Sequence, residues 1–428
     1  MAVAGLKFGC SAQGLPPLYN GTNLVARAPQ DVIVVTINYR LGIFANAYFE
    51  GETLEDPSWP TGGNYQVLDV LSALRWVKAN IASFGGDPSR VTSFGQSAGG
   101  NLGINLLTVN RTESLISAVI SESGTPMITP GYLNTSMALS SGEALISQAG
   151  CSSAGNPTEQ LKCMRRIDAK ELLKLSPYAP ALNVVDGVLF TEYPAYAMQN
   201  GNFLKVPVLM GNNEPDNFPA CASLPNANAT VAVQVVHKYL SDWGVPEDDI
   251  PTVISKYKLP QCSVGECCDI MTRIMLDYTM ICNARRVFNL TASKDPNSGK
   301  YWYRFFCTPE CPASEPICQH TSEIEYVFGT VSNYESQKYP NCTWNTTVRY
   351  FSDAVISQWT WFASHGVTIT PWSPWTPKHS TYTDIIEPSV PGNIFQPREF
   401  EDNDYCDMWD NIDHRMAQNR FGNNMERP

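Results

Sequence analysis

The sequence predicts an α/β fold: a mostly parallel central sheet flanked by helices on both faces. Three observations predict it. Residues 31–37, Asp-Val-Ile-Val-Val-Thr-Ile, form a continuous β-branched run with the composition of a strand buried on both faces. Val67, Leu71, Leu74, Val77, Ile81 and Phe84 then recur at helical spacing. Finally, the β-rich run Arg90-Val-Thr-Ser-Phe94 passes through Gly95-Gln96-Ser97-Ala98-Gly99 into a helical stretch reaching Leu107. Strands that alternate with helices build parallel sheets.

Taken in order, Asn38 to Gly42 ends the first strand, and Pro60-Thr-Gly-Gly-Asn64 forms a loop before the helix. Gly85-Gly86-Asp87-Pro88 stops that helix, because Gly and Pro punctuate regular structure. A second buried-type strand is expected at 115–120. Residues 125–200 read as mostly helical with turns. A strand follows at 205–211 and more helix at 225–295. Tyr301 to Phe306 is an aromatic strand, and an amphipathic helix is expected over 346–364. The Pro-, Trp-, Thr- and Ser-rich segment from there to Pro397 reads as irregular surface.

Composition narrows the function. The chain has 428 residues and a formal net charge of −12, which argues against nucleic acid and anionic membrane surfaces as partners. No apolar run approaches a membrane span. Thirteen cysteines accompany seven Asn-x-Ser/Thr sequons, at Asn20, Asn110, Asn134, Asn228, Asn289, Asn341 and Asn345. With only 16% charged residues, this is the make-up of a secreted, disulfide-bonded glycoprotein. The opening Met1-Ala-Val-Ala-Gly-Leu-Lys-Phe-Gly-Cys10 nevertheless has no secretory leader pattern. No linker or repeat divides the chain, so residues 1–428 are expected to form one domain.

The chemistry centres on Ser97. A serine at a sharp strand-to-helix turn projects its hydroxyl out of the fold, and flanking glycines leave room for the tight backbone. The helix that opens behind it aims free N–H groups, and the positive end of its dipole, at an oxyanion formed there.

Five stretches carry a family resemblance: Asp31 to Gly42, Ala73 to Pro88, the serine turn, His320 to Phe328, and Cys406-Asp-Met-Trp409. In these the chain resembles the type-B carboxylesterases, which include the cholinesterases and some fungal lipases. The resemblance implies an α/β-hydrolase fold with its N-terminal edge strands missing. It also implies a serine–acid–histidine triad acting on carboxylic esters, with a small-molecule or lipid ester as substrate and no cofactor or metal. Ser97 matches the nucleophile, and His320 matches the general base. The acid position, five residues after Gly211, falls on Asp216, where the family usually has Glu; Glu214 is the alternative. The family's glycine loop aligns with Val3-Ala4-Gly5-Leu6, so Ala4, Gly5 and Ala98 would supply the oxyanion hole. Many relatives carry Glu where this chain has Gln96, which argues against a cationic choline substrate.

The resemblance further implies disulfides Cys151–Cys163 and Cys282–Cys406. Metal binding at Cys267-Cys268 is disfavoured, since no zinc-type pair spacing is present. Two other readings stay open: a catalytically impaired short form, and a non-catalytic binding homologue of the neuroligin kind. The second is disfavoured because the chain keeps both Ser97 and His320.

Overall fold

The computed structural model describes residues 18–109, 112, 114–125, 129–178, 182–214, 216, 224, 226–306, 318, 320–330, 346–369, 372–386 and 394–422, and the backbone of 2–6. The strands in chain order are β1 (Ala2–Leu6), β2 (Ile33–Ile37), β3 (Val91–Gln96), β4 (Ala118–Glu122), β5 (Tyr132–Asn134), β6 (Asn183–Val185), β7 (Val208–Asn213), β8 (Lys300–Phe306), β9 (Thr381–Ile386) and β10 (Phe395–Glu399). Eight of them form one sheet, in the order β10-β9-β8-β7-β4-β3-β1-β2, while β5 and β6 pair separately. All neighbours in the large sheet are parallel except β9 and β10.

Alternation along each strand divides the core into two faces. Val119, Val208, Met210 and Trp302 pack on one side with α1 (Tyr65–Asn80) and α2 (Ala98–Asn105). Farther out on that side lie α3 (Glu266–Leu276) and α4 (Cys282–Lys294). Ile120, Leu209, Tyr303 and Phe305 pack on the other side, under α5 (Ile324–Phe328) and α6 (Thr346–His365). A last helix, α7 (Asn403–Phe421), joins the first face through Trp409 and Ile412. These two layers bury β3 and β4 along their whole length.

Several expectations change. Residues 31–37, expected to be buried on both faces, supply β2 at the edge of the sheet, where each residue of the strand is half-buried or exposed because only β1 flanks it. The strand expected at 115–120 is shifted to Ala118–Glu122, because the pairing register with β3 starts at Ala118. The helix expected through Phe84 ends at Asn80, and one 3₁₀ turn, Ile81–Phe84, completes it. The segment expected to be irregular instead supplies β9 and β10, which extend the sheet. Pro397 fits there because β10 is an edge strand, where a missing N–H breaks no ladder.

Three disulfides are present among the described residues: Cys151–Cys163, Cys262–Cys267 and Cys282–Cys406. The last ties α4 to α7 across 124 residues of chain. Beside it, Arg285 reaches Asp407 and Asp410, and Arg286 reaches Asp410 and Asp413. Closing so long a loop restricts the unfolded chain, so replacing Cys282 and Cys406 together by Ala should cost about 2–4 kcal/mol. Denaturant unfolding of the double variant checks this; an unchanged midpoint would refute it. No helix among the described residues is long and apolar enough to cross a membrane.

Candidate active site

The chain leaves β1 toward β2 on one side and proceeds from β3 toward β4 and β7 on the other. Ligand sites of parallel sheets lie at the carboxyl ends of strands beside such a reversal. Ser97 stands there, directly after β3. Its backbone has φ 53° and ψ −121°, a conformation that is strained for any residue with a Cβ. Two hydrogen bonds hold it: Ser97 N–H donates to the Glu122 carbonyl at 2.7 Å, and Asn101 N–H donates to the Ser97 carbonyl at 2.8 Å. Glycine is required around it. A Cβ on Gly95 would come within 2.7 Å of the Gly99 carbonyl carbon, and one on Gly124 within 2.5 Å of the Ser97 backbone carbonyl oxygen.

His320 and Asp216 are brought together across 104 residues of sequence. Asp216 follows β7 and His320 precedes α5. His320 Nδ1 lies 2.8 Å from Asp216 Oδ1; the carboxylate is 1% exposed and the imidazole 34%. Thr321, next to the histidine, has φ 82°, a strained value for a β-branched residue. Partial burial works against the imidazolium, but the hydrogen bond and charge of Asp216, with Glu323 behind it, outweigh that. The His320 pKa lies above the ordinary histidine value.

Glu214 points elsewhere. It lies 3.6 Å from the Arg304 guanidinium, which also holds Asp384 at 3.0 Å. Burial raises its pKa, and Arg304 partly offsets this. Of the two candidate acids, Asp216 is therefore the one at the histidine.

Gln96 ends β3 with its side chain fully buried. Its Nε2 stands 3.5 Å from His320 Nδ1 and 3.4 Å from Nε2, so the amide faces the ring from below the serine. No hydrogen bond joins Ser97 Oγ to His320 among the described residues. Contacts of this kind often tighten only once substrate is bound.

Of the three residues expected to form an oxyanion hole, only Ala98 lies at the serine turn. Ala98 is the first residue of α2, where a helix leaves its N–H groups without intrahelical partners. Ala4 and Gly5 are not in a loop at the elbow. They lie inside β1, opposite Val35 and Thr36 on one side and Ser93 and Phe94 on the other. An interior strand commits its backbone donors to its neighbours. The apolar run Ala2–Leu6 fills the slot between β2 and β3, which corrects the expected role of both residues.

Residues not foreseen as part of the site are Glu122, Tyr303 and Glu323. All three are fully buried, on the α6 side of the sheet. A signal for Glu122 was available: a lone carboxylate ends the apolar run Ala118-Val-Ile-Ser-Glu122. Tyr303 gave none, being one aromatic among several.

Comparison with known proteins fits this geometry. The profile of the Carboxylesterase family matches residues 5–409, and the chain belongs to that family. It is 29% identical to neuroligin-2 of Mus musculus over 376 residues, covering 84% of this chain and 43% of the relative. It is also 29% identical to carboxylesterase 3 of Homo sapiens over 375 residues, covering 84% and 63%. Against acetylcholinesterase of Leptinotarsa decemlineata it is 26% identical over 380 residues, covering 81% and 57%. The chain thus spans about half the length of the relatives it matches.

Proposed function

We propose that the protein is a secreted serine hydrolase that cleaves neutral carboxylic esters through an acyl-enzyme. Ser97 is the nucleophile, His320 the general base and acid, and Asp216 the carboxylate that orients the ring. The single observation that carries this reading is the 2.8 Å contact between His320 Nδ1 and Asp216 beside a serine in a strained elbow. With Nδ1–H directed to Asp216, Nε2 is left to take the proton of Ser97 as its Oγ attacks the ester carbonyl. The Ala98 N–H meets the oxyanion of the tetrahedral intermediate. Collapse breaks the bond to the alkoxy oxygen, and His320 returns the proton to the departing alcohol. Water, deprotonated by the same nitrogen, then releases the acid and restores Ser97.

Neutral substrates are favoured because Gln96 brings no charge to the ring it faces. Extracellular location rests on the three disulfides and the sequons. Of the sequons, Asn20 and Asn228 are exposed, whereas Asn289 accepts a hydrogen bond from the buried Trp375 indole at 3.0 Å. Secreted protein should therefore carry glycan at Asn20 and Asn228 but not at Asn289. Peptide mapping after deglycosylation checks this, and occupancy at Asn289 would count against the fold around it.

Hydrolysis of p-nitrophenyl acetate, butyrate and longer acyl esters by the purified chain tests the main reading. Saturable turnover, with neutral esters preferred to acetylthiocholine, is expected. Folded protein that turns over none of them would contradict it. A second reading, surface binding without catalysis, is favoured only by the similarity to neuroligin-2, and the same assay separates the two.

The pH profile has a definite sign. Only neutral His320 can accept the Ser97 proton, and its pKa is raised. The acid limb of kcat/KM should therefore have its midpoint above about 6.5, the unperturbed histidine value. Activity should be lost as pH falls through that midpoint. A midpoint at or below about 6 would contradict the pairing with Asp216.

A further inference from the structure

One row of residues crosses the sheet immediately beneath the triad. Gln96 pairs with Glu122, Glu122 with Gly211, and Gly211 with Tyr303, so their side-chain positions share one face. Gly211 is small for a reason: a Cβ there would meet the Tyr303 ring at 2.4 Å. Glu323, three residues after His320, is fully buried and meets the same part of the sheet through Asn213 of β7. Its Oε2 accepts a hydrogen bond from the Asn213 amide at 2.5 Å. Glu122 Oε1 accepts from the Trp359 indole of α6.

That leaves Glu122 Oε2, Glu323 Oε1, Asp216 Oδ2, the Tyr303 hydroxyl and Gln96 Oε1 buried with no hydrogen-bond partner among the described residues. The groups that face the two glutamates are Gln96 from β3, Asn213 and Asp216 from β7 and its following loop, Tyr303 from β8, Trp359 from α6, and His320. No lysine or arginine forms an ion pair with either carboxyl among the described residues. Glu122 and Glu323 are both fully buried and repel each other, and Asp216 repels Glu323, so ionising both glutamates in this low dielectric is costly.

We propose that Glu122 and Glu323 hold one proton between them, on Glu122, and that the charge left on Glu323 is a second electrostatic anchor for His320. Glu323 is then a positioning residue, acting through the histidine that Asp216 orients. The electrostatics agree. Burial, then the neighbouring Glu323, holds Glu122 well above the usual carboxylate range. Burial, then Asp216, pushes Glu323 up to about 7, so it carries its charge in mildly alkaline solution and loses it in acid. The proton on Glu122 gives the pair a donor where both would otherwise be acceptors only.

The proposal rests on His320 as the base, but it is read on the imidazole itself, so it can fail or succeed apart from the esterase reading. The measurement is an NMR titration of the His320 ring in the full chain, its resonance assigned with His320→Asn. Glu323→Gln should lower the His320 pKa by about one unit, a tenfold shift in its protonation equilibrium. Glu323→Asp should restore most of it. Glu122→Gln, which mimics a protonated carboxyl, should leave it within a few tenths of a unit. In the infrared at pH 8, a protonated-carboxyl band should be present in the wild type and absent in Glu122→Gln. An unchanged His320 pKa in folded Glu323→Gln overturns the proposal. So does an equal fall in Glu122→Gln, which decides the matter should Glu323→Gln not fold. His320 shifts as expected without ester turnover would sink the hydrolase reading alone.

Discussion

Ser97→Ala should reduce ester turnover by about 10⁶-fold, to the level that binding and oxyanion contacts alone supply. The expectation follows from position. Ser97 occupies the strained turn at the carboxyl end of β3, beside the reversal of strand order. The change removes one oxygen and keeps the Cβ, so the turn keeps its strain and its two backbone hydrogen bonds. Thermal unfolding should therefore stay close to wild type, and steady-state kinetics with a neutral p-nitrophenyl ester reads the loss. Turnover surviving within tenfold would move the chemistry to another residue.

Asp216→Asn should reduce kcat by about 10⁴-fold, close to 5.4 kcal/mol of transition-state stabilisation. An amide in place of the carboxylate can turn its NH₂ toward Nδ1, which selects the wrong tautomer and withdraws support from the imidazolium. Glu214→Gln should change kcat by less than about threefold, because Glu214 lies against Arg304 rather than the ring. The two variants together test the acid assignment. Equal losses, or a larger loss in Glu214→Gln, would reverse it. The acid limb of the pH profile should also fall in Asp216→Asn, since the carboxylate that raises the His320 pKa is gone.

What the sequence disclosed follows physical lines. The runs at 31–37 and 90–96 are legible as strands from their β-branched and aromatic residues, but two-face burial holds only for β3, since β2 lies at the edge of the sheet and is half-buried. The elbow is legible because its backbone admits so few residues. The pairing of Asp216 with His320 came from family resemblance, since no local pattern joins residues 104 apart. By contrast, β9 and β10 were hidden. Thr381-Tyr-Thr-Asp-Ile-Ile386 is β-rich, but flanking prolines and Pro397 within β10 mask an edge that tolerates them. The roles assigned to Ala4 and Gly5 failed because alignment to a loop motif cannot show that the same residues pair as a strand. Glu122 and Glu323 escaped because burial of a carboxylate is a property of packing: it takes α6 and the Trp359 indole to enclose them.

Covalent labelling tests the triad most directly. The 428-residue chain is treated with a serine-reactive fluorophosphonate, and the adduct is located by peptide mass spectrometry, with Ser97→Ala as control. A single phosphonyl adduct is expected on the peptide containing Ser97, absent from the control and suppressed in Asp216→Asn. Soluble, folded protein that takes no label at Ser97 would contradict the claim that Ser97, His320 and Asp216 form a working triad in this chain.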